Sequence, residues 1–227
     1  MHPDGKPVLR LYHYLKAGWA LDNIRRRRLK LSRLTDVNDP YEWACVYSTD
    51  RHSQRALERS REQITEAHGM LSFSRECTNI LMWSHYCESH RGICLGFDVP
   101  KESARAIKYV SQVQVIGDLT ALSRTAVIDR MNWAKYKGWS YEKEVRVKAR
   151  REEKDPENGL YFVNFDNNLM LKEVIGGTRC IVTRREVEIA LGDYSGVATK
   201  RVWANPKRFE MIIDEWPPDP ANSGTND

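Results

Sequence analysis

The run Gly92-Ile93-Cys94-Leu95-Gly96-Phe97 is mostly apolar, the pattern of a central strand buried on both faces. A sheet built around it needs neighbouring strands, and the sequence offers several. Leu9–Tyr14 alternates Leu-Arg-Leu-Tyr-His-Tyr and predicts a short first strand. Leu29–Ser32, Met70–Ser74, Lys108–Ile116, Tyr141–Val147, Leu160–Phe165, Leu171–Ile175, Val197–Trp203 and Phe209–Ile213 predict the others. Helices are expected over Asn23–Arg28 behind Asp22 as cap, over Arg51–His68, and from Asn79 to Ser89 behind Thr78. Two more are expected over Leu119–Tyr136 and from Thr183 to Leu191. Strands therefore follow one another without regular helix alternation. That argues for an α+β fold, with a mixed or antiparallel sheet and flanking helices, over a doubly wound one.

Residues 8–215 read as a single domain, and Thr35–Pro40, dense in turn formers, as a loop within it. Trp216-Pro217-Pro218-Asp219-Pro220 opens what reads as a polar, disordered tail over 216–227. Hydrophobic residues make up 41% of the 227, enough for a sizeable core, so global disorder is excluded. No apolar run approaches the roughly 18–20 residues of a membrane span, so no membrane partner is expected. The N-terminus lacks the apolar segment of a secretory signal. Cys45, Cys77, Cys87, Cys94 and Cys180 are scattered without a Cys-x-x-Cys pair. Neither a disulfide framework nor a zinc site is expected, and a reducing, cytoplasmic compartment is.

The net charge of +5 is unevenly placed. Arg25, Arg26, Arg27, Arg28, Lys30 and Arg33 crowd together without an acid among them. This cluster fits either a polyanionic ligand or a solvated helix face, since four consecutive arginines spread around a helix.

Three stretches carry groups suited to chemistry. Tyr141-Glu142-Lys143-Glu144-Val145-Arg146 alternates, so on a strand Glu142, Glu144 and Arg146 project from one face at steps of about 7 Å. Two carboxylates and a guanidinium on one face are costly to bury, and an exposed, cross-strand-paired face is the alternative. Trp83-Ser84-His85-Tyr86 spans nearly one helical turn, so its members cannot all enter one core. His13 sits between Tyr12 and Tyr14 on the first strand. His85 and His90 are five apart, roughly 140° around a helix, where metal-binding pairs prefer three or four, and no metal is expected. Walker-type and Gly-x-Gly-x-x-Gly loops are absent, as is Gly-x-Ser-x-Gly.

The ordered motifs Leu-Tyr-His-Tyr at 11–14, Asn-Asp-Pro-Tyr-Glu at 38–42, Leu-Ser-Phe-Ser at 71–74, Ile-Leu-Met-Trp-Ser-His-Tyr at 80–86, Gly-Ile-Cys-Leu-Gly-Phe-Asp at 92–98 and Trp-Ser-Tyr-Glu-Lys-Glu-Val-Arg at 139–146 resemble a large prokaryotic family of uncharacterised domains. Their order is also similar to that of ADP-ribosyltransferases. There a histidine on an early strand, a tyrosine after a strand–helix unit and a glutamate on a late strand form the site. Phe73-Ser74 followed by Ser84-His85-Tyr86 is similar to the polymerase-like branch, although the Ser84 to Tyr86 spacing is shorter here. Glu142-Lys143-Glu144 is similar to the paired-glutamate motif of the transferases.

The resemblance implies an ADP-ribosyltransferase-like split sheet and a reaction with NAD as substrate. ADP-ribose would pass to a macromolecule, nucleic acid or protein, or to water, as in toxins and antiphage effectors. It implies Glu144 as the catalytic carboxylate, Glu142 at the acceptor, Tyr86 stacked on nicotinamide and His13 on the adenosine-side ribose. Ser74 and Ser84 would border the nucleotide, and Arg33 or Arg25–Arg28 would meet the pyrophosphate. A reading from a different class is a nucleic-acid-binding module or nuclease, using the arginines with Trp19, Trp43 and Trp83 as stacking surfaces.

Overall fold

The computed structural model describes residues 4–32, 39, 41, 45–116 and 124–219. The apolar run becomes β5 (Ile93–Pro100), which pairs antiparallel with β1 (Val8–Leu15) on one side and β12 (Met170–Gly176) on the other. Beyond β12 lie β13 (Ala198–Ala204), parallel to it, and β14 (Met211–Glu215), antiparallel to β13. Beyond β1 lie β4 (His68–Ser74), β10 (Glu144–Arg150) and β6 (Ala104–Ala106), completing an eight-stranded sheet. The fold is α+β with one large mixed sheet. β2 (Arg28–Lys30) with β11 (Phe162–Asn164), β3 (Val46–Ser48) with β8 (Gln114–Ile116), and β7 (Lys108–Val110) with β9 (Ala134–Tyr136) form three two-stranded pairs.

The sheet has one weak seam. β1 registers against β5 along its whole length, from Val8 with Pro100 to Leu15 with Ile93. Against β4 it registers at one pair, Tyr12 with Ser74. There β4 instead runs fully with β10, from Glu144 with Ser74 to Arg150 with His68. The sheet therefore opens between β1 and β4, and the opening holds the candidate site.

Strand alternation fills both faces. Leu11, Leu71, Phe73, Leu95, Phe97 and Val145 pack with Ala20, Leu21 and Ile24 of α1 (Ala17–Arg26) and Val187, Ala190 and Leu191 of α5 (Arg184–Leu191). On the opposite face Tyr14, Cys94, Ile175 and Val202 pack with Met82 and Trp83 of α3 (Ile80–Tyr86). A third cluster joins Leu57 and Ile64 of α2 (Arg51–Ala67) to Val127 and Met131 of α4 (Arg124–Trp133). Each fully buried aliphatic or aromatic side chain contributes about 1.5–3 kcal/mol.

Several sequence expectations are corrected. α1 begins at Ala17, with Asp22 inside it, because Lys16 opens it without any side-chain cap. Asn79, not Thr78, caps α3, and α3 ends at Tyr86 because Glu88, Ser89 and His90 all adopt positive φ. Lys108–Ile116 divides into β7 and β8, which join different pairs. α4 stops at Trp133, and the chain continues as β9. The strand expected from Tyr141 starts at Glu144: Lys137–Glu142 is a 3-10 turn and Lys143 is left-handed at φ 45°. Trp216, expected in the tail, is 2% exposed and packs in the main core. Asp219, also placed there, accepts from the Arg184 and Arg185 amides at the start of α5. Of the expected loop at 35–40, only Asp39 lies among the described residues.

Candidate active site

A cavity of about 420 Å³ opens at the β1–β4 seam. Tyr12 and His13 of β1, Ser72 and Ser74 of β4, Met82, His85 and Tyr86 of α3, Lys135 of β9, and Glu142 and Glu144 line it. Of the expected site residues, His13, Ser74, Tyr86, Glu142 and Glu144 thus come together. Its size falls within the range of small-molecule sites.

His13 reaches the cavity because the seam leaves no ladder beside it. Its position on β1 matches that of the core-facing Leu11, and its ring meets Phe73 edge-on at 5.6 Å. Nδ1 lies 2.8 Å from the Ser72 carbonyl oxygen. A carbonyl only accepts, so Nδ1 carries the hydrogen and Nε2 holds the ring's lone pair. Burial pulls the imidazole below its ordinary 6.5, against the Ser72 carbonyl, which favours the cation.

Tyr86 is presented by α3. Asn79 caps that helix by accepting from the Leu81 and Met82 amides, and its Nδ2 donates to the Tyr141 carbonyl at 2.7 Å. One residue therefore fixes α3 against the turn that carries Glu142. Helical spacing turns Met82, His85 and Tyr86 toward the cavity. Ser84 faces elsewhere: its hydroxyl donates to the Ile80 carbonyl and lies 3.0 Å from His90 Nε2. The expectation that Ser84 borders the nucleotide is corrected, since about 200° of helix separates it from Tyr86.

The two glutamates do not sit at steps of two on one strand. Glu142 ends the 3-10 turn, the left-handed Lys143 reverses the chain, and Glu144 begins β10. That turn brings both carboxylates onto Lys135, whose Nζ is 2.6 Å from Glu142 Oε2 and 3.1 Å from Glu144 Oε2. Tyr86 donates to Glu142 Oε1 at 2.6 Å. Arg146 grips Glu144 with Nε at 2.6 Å and Nη2 at 3.1 Å, and its Nη1 donates to the Asn132 carbonyl. The Glu144 amide donates to the Tyr109 hydroxyl at 2.8 Å. Glu142, Glu144, Lys135 and Arg146 are each at most 5% exposed, so the exposed-face alternative fails. Burial alone would raise the Glu144 carboxyl, but Arg146, Lys135 and the Ser72 hydroxyl bring it below its ordinary 4.5. Burial and the same carboxylates push the Tyr109 phenol up to about 12.

Arg25, Arg26, Arg27 and Arg28 are absent from the cavity lining, and the last three face acids. Arg26 pairs with Asp22 and Glu157, Arg27 with Asp193, and Arg28 with Asp155. The expected pyrophosphate contact by Arg25–Arg28 is corrected on this ground. Arg33 lies outside the described residues, as does Trp43. Trp83 is fully buried and donates to the Cys77 carbonyl, so it offers no stacking surface, while Trp19 is exposed. Among the described residues no group of three or more His, Cys, Asp or Glu is placed to hold a metal ion. No helix among them is long and apolar enough to cross a membrane.

Lys135, Tyr12, Ser72 and Met82 are among the site residues that sequence reasoning missed. Lys135 stood inside an expected helix, in a stretch Lys135-Tyr136-Lys137 whose two lysines look alike. Only the β7–β9 pairing separates them, burying Lys135 and leaving Lys137 exposed.

Residues 82–147 match a family described as a protein of unknown function (DUF2971). That stretch holds Tyr86, Lys135, Glu142, Glu144 and Arg146, and leaves out β1 with His13. No curated protein and no solved structure matches the chain.

Proposed function

We propose that the seam cavity cleaves the nicotinamide–ribose bond of NAD and passes ADP-ribose to a macromolecular acceptor. The observation that carries this reading is the buried Glu142–Lys135–Glu144–Arg146 network beneath an open cavity that also holds His13 and Tyr86. Such a network is a poor stability device, because each buried ion loses several kcal/mol of solvation. Its members instead supply what breaking an N-glycosidic bond requires. As nicotinamide departs with the bonding electron pair, positive charge grows on the ribose. An ionised carboxylate beside that carbon stabilises it.

In this reading Glu144 is that carboxylate, held ionised by Arg146 and Lys135. Glu142 faces the acceptor, whose nucleophile bonds to the ribose carbon as its proton passes to the Glu142 carboxylate. The Tyr86 ring stacks on nicotinamide while its hydroxyl stays on Glu142. His13, with Nδ1 engaged by Ser72, accepts a ribose hydroxyl at Nε2. Ser74, opposite Tyr12 on one side and Glu144 on the other, lies along the floor. The opening of the sheet between β1 and β4 supports the split-sheet likeness to the transferases.

Nicotinamide release from NAD, followed for the wild type and for Glu144→Gln and Glu142→Gln, tests the proposal. Glu144→Gln keeps the shape and removes the charge. It is expected to slow release roughly a hundred- to thousandfold, about 3–4 kcal/mol in the barrier. Glu142→Gln is expected to impair transfer and leave part of the hydrolysis. Unchanged release by Glu144→Gln removes that residue from the role, and no release by the wild type with any acceptor ends the reading.

A further inference from the structure

On the other flank of α3 lies a second concave surface, a cavity of about 510 Å³ at the tip of the β13–β14 hairpin. Ile80, His90, Arg179, Lys207, Arg208 and Phe209 are among its lining residues. Three cations gather in this lining beside an exposed ring. Arg10, Arg26, Arg27, Arg28, Arg105, Arg146 and Arg184 each meet a carboxylate. Arg179, Lys207 and Arg208 are exposed and have no carboxylate partner among the described residues. The acid in the lining, Glu210, accepts from Asn205 at 2.6 Å. Asp214 and Glu215 lie at the other end of the hairpin, opposite Arg201 and Lys200.

Phe209 stands at the rim with its surface fully exposed, at 102%. At the base, His90 Nδ1 is buried without a hydrogen-bond partner, while Nε2 meets Ser84. His90 closes a turn in which Glu88, Ser89 and His90 hold φ of 48°, 53° and 71°, a strained run for three non-glycine residues. Gly177 grips that turn: a Cβ there would fall 2.1 Å from the His90 carbonyl oxygen.

We infer that the hairpin tip binds a single-stranded polynucleotide, with phosphates on Arg179, Lys207 and Arg208 and a base stacked on Phe209. Unpaired cations beside an exposed aromatic ring are the two parts of a sequence-tolerant single-strand surface. A duplex keeps its bases stacked and offers Phe209 nothing. A run of acidic side chains alone would engage the cations and leave the ring in water. α3, seven residues and about 10 Å long, runs from Ile80 in this cavity to Tyr86 in the other. A strand held at the hairpin is thus one short helix from the glutamates. Binding here requires neither NAD nor Glu144, so the inference stands apart from the proposed reaction; where both hold, the bound strand is the acceptor.

The test is fluorescence anisotropy of labelled oligo(dT) and oligo(U) with the full chain, without NAD, over a salt series. The wild type is expected to bind at least one of the two with affinity that falls as salt rises. Lys207→Gln with Arg208→Gln should flatten the slope of log affinity against log salt by about 1.4, two phosphates at ~0.7 each. Phe209→Ala should weaken binding roughly five- to a hundredfold without changing that slope. Replacing Arg25–Arg28 by glutamine should leave both quantities unchanged. Absence of binding at low salt overturns the inference, as do hairpin variants that bind like the wild type. So does heparin, which has no bases, binding as tightly as the oligomers with no dependence on Phe209.

Discussion

The Tyr86 hydroxyl donates to Glu142 Oε1 at 2.6 Å, tying the end of α3 to the turn before β10 across 56 residues of sequence. The bond joins an aromatic wall of the cavity to one of its two carboxylates, and the Asn79 side chain holds the same two segments together. Ring and hydroxyl have separable tasks. Tyr86→Phe keeps the ring and takes one donor from a buried carboxylate, which should cost about 1.5–3 kcal/mol of stability. Tyr86→Ala removes the ring as well. Under the NAD reading, calorimetric NAD affinity should be largely kept by Phe and lost by Ala. Equal affinity in the two variants would show that the ring is not a stacking wall.

Lys135 is the cation shared by both glutamates, and its removal should be pH-dependent. Lys135 helps Arg146 to bring Glu144 below its ordinary 4.5, so in Lys135→Met the Glu144 carboxyl moves up. A carboxyl with a raised folded value stabilises below its unfolded value, and that stability falls as pH rises through the folded one. The variant should lose about 3–5 kcal/mol at pH 8 and less at pH 5. Urea unfolding at both pH values checks this. A penalty equal at both, or larger at pH 5, would mean that Lys135 does not hold Glu144 ionised.

How much of this site could be read from sequence depends on how local each placement is. His13 and Tyr86 were legible because a six-residue alternation and a capped helix are local patterns. The glutamate pair was legible as a motif but not as a geometry. Lys143 gives no sign of its left-handed backbone, since it fits the Tyr141, Lys143, Val145 alternation of a strand. Ser84 was misassigned because a motif read in a line does not show rotation around α3. Lys135 was invisible because its burial comes from pairing between β7 and β9, which brings together residues 108–110 and 134–136. The same holds for most of the arginine pairing: Asp22 is four residues from Arg26, but Asp155, Glu157 and Asp193 lie more than a hundred residues from their partners.

His13 predicts an acid-side loss of stability. Its folded value is depressed by burial, so its contribution is present above the unfolded value near 6.5 and is lost as pH falls below it. Glu144, also depressed, loses its contribution lower, as pH falls through and below 4.5. His68 and His90 are depressed as well and share the first window. Unfolding midpoints should therefore drop between pH 7 and 5.5, and His13→Gln, which can still donate to Ser72, should reduce that drop without abolishing it. A drop of unchanged size would place the titration elsewhere.

Trp216 and Gly176 make the sharpest test of where the folded chain ends. Trp216 follows the last strand and lies over β12, so that a Cβ on Gly176 would fall 2.6 Å from its Cη2 atom. Gly176→Ala therefore overpacks the site and should cost about 1–3 kcal/mol. Trp216→Ala empties a fully buried indole position and should cost about 3–5 kcal/mol. The two losses have opposite steric origins, since the first inserts a methyl group where the second removes the ring it strikes. In the double variant the alanine methyl enters space the indole has vacated. The combined loss should fall short of the sum of the single losses by about 0.5–3 kcal/mol. Chemical denaturation of the four proteins gives that coupling directly. Additive losses would mean that the indole does not rest on Gly176, and a near-neutral Trp216→Ala would return residue 216 to the tail.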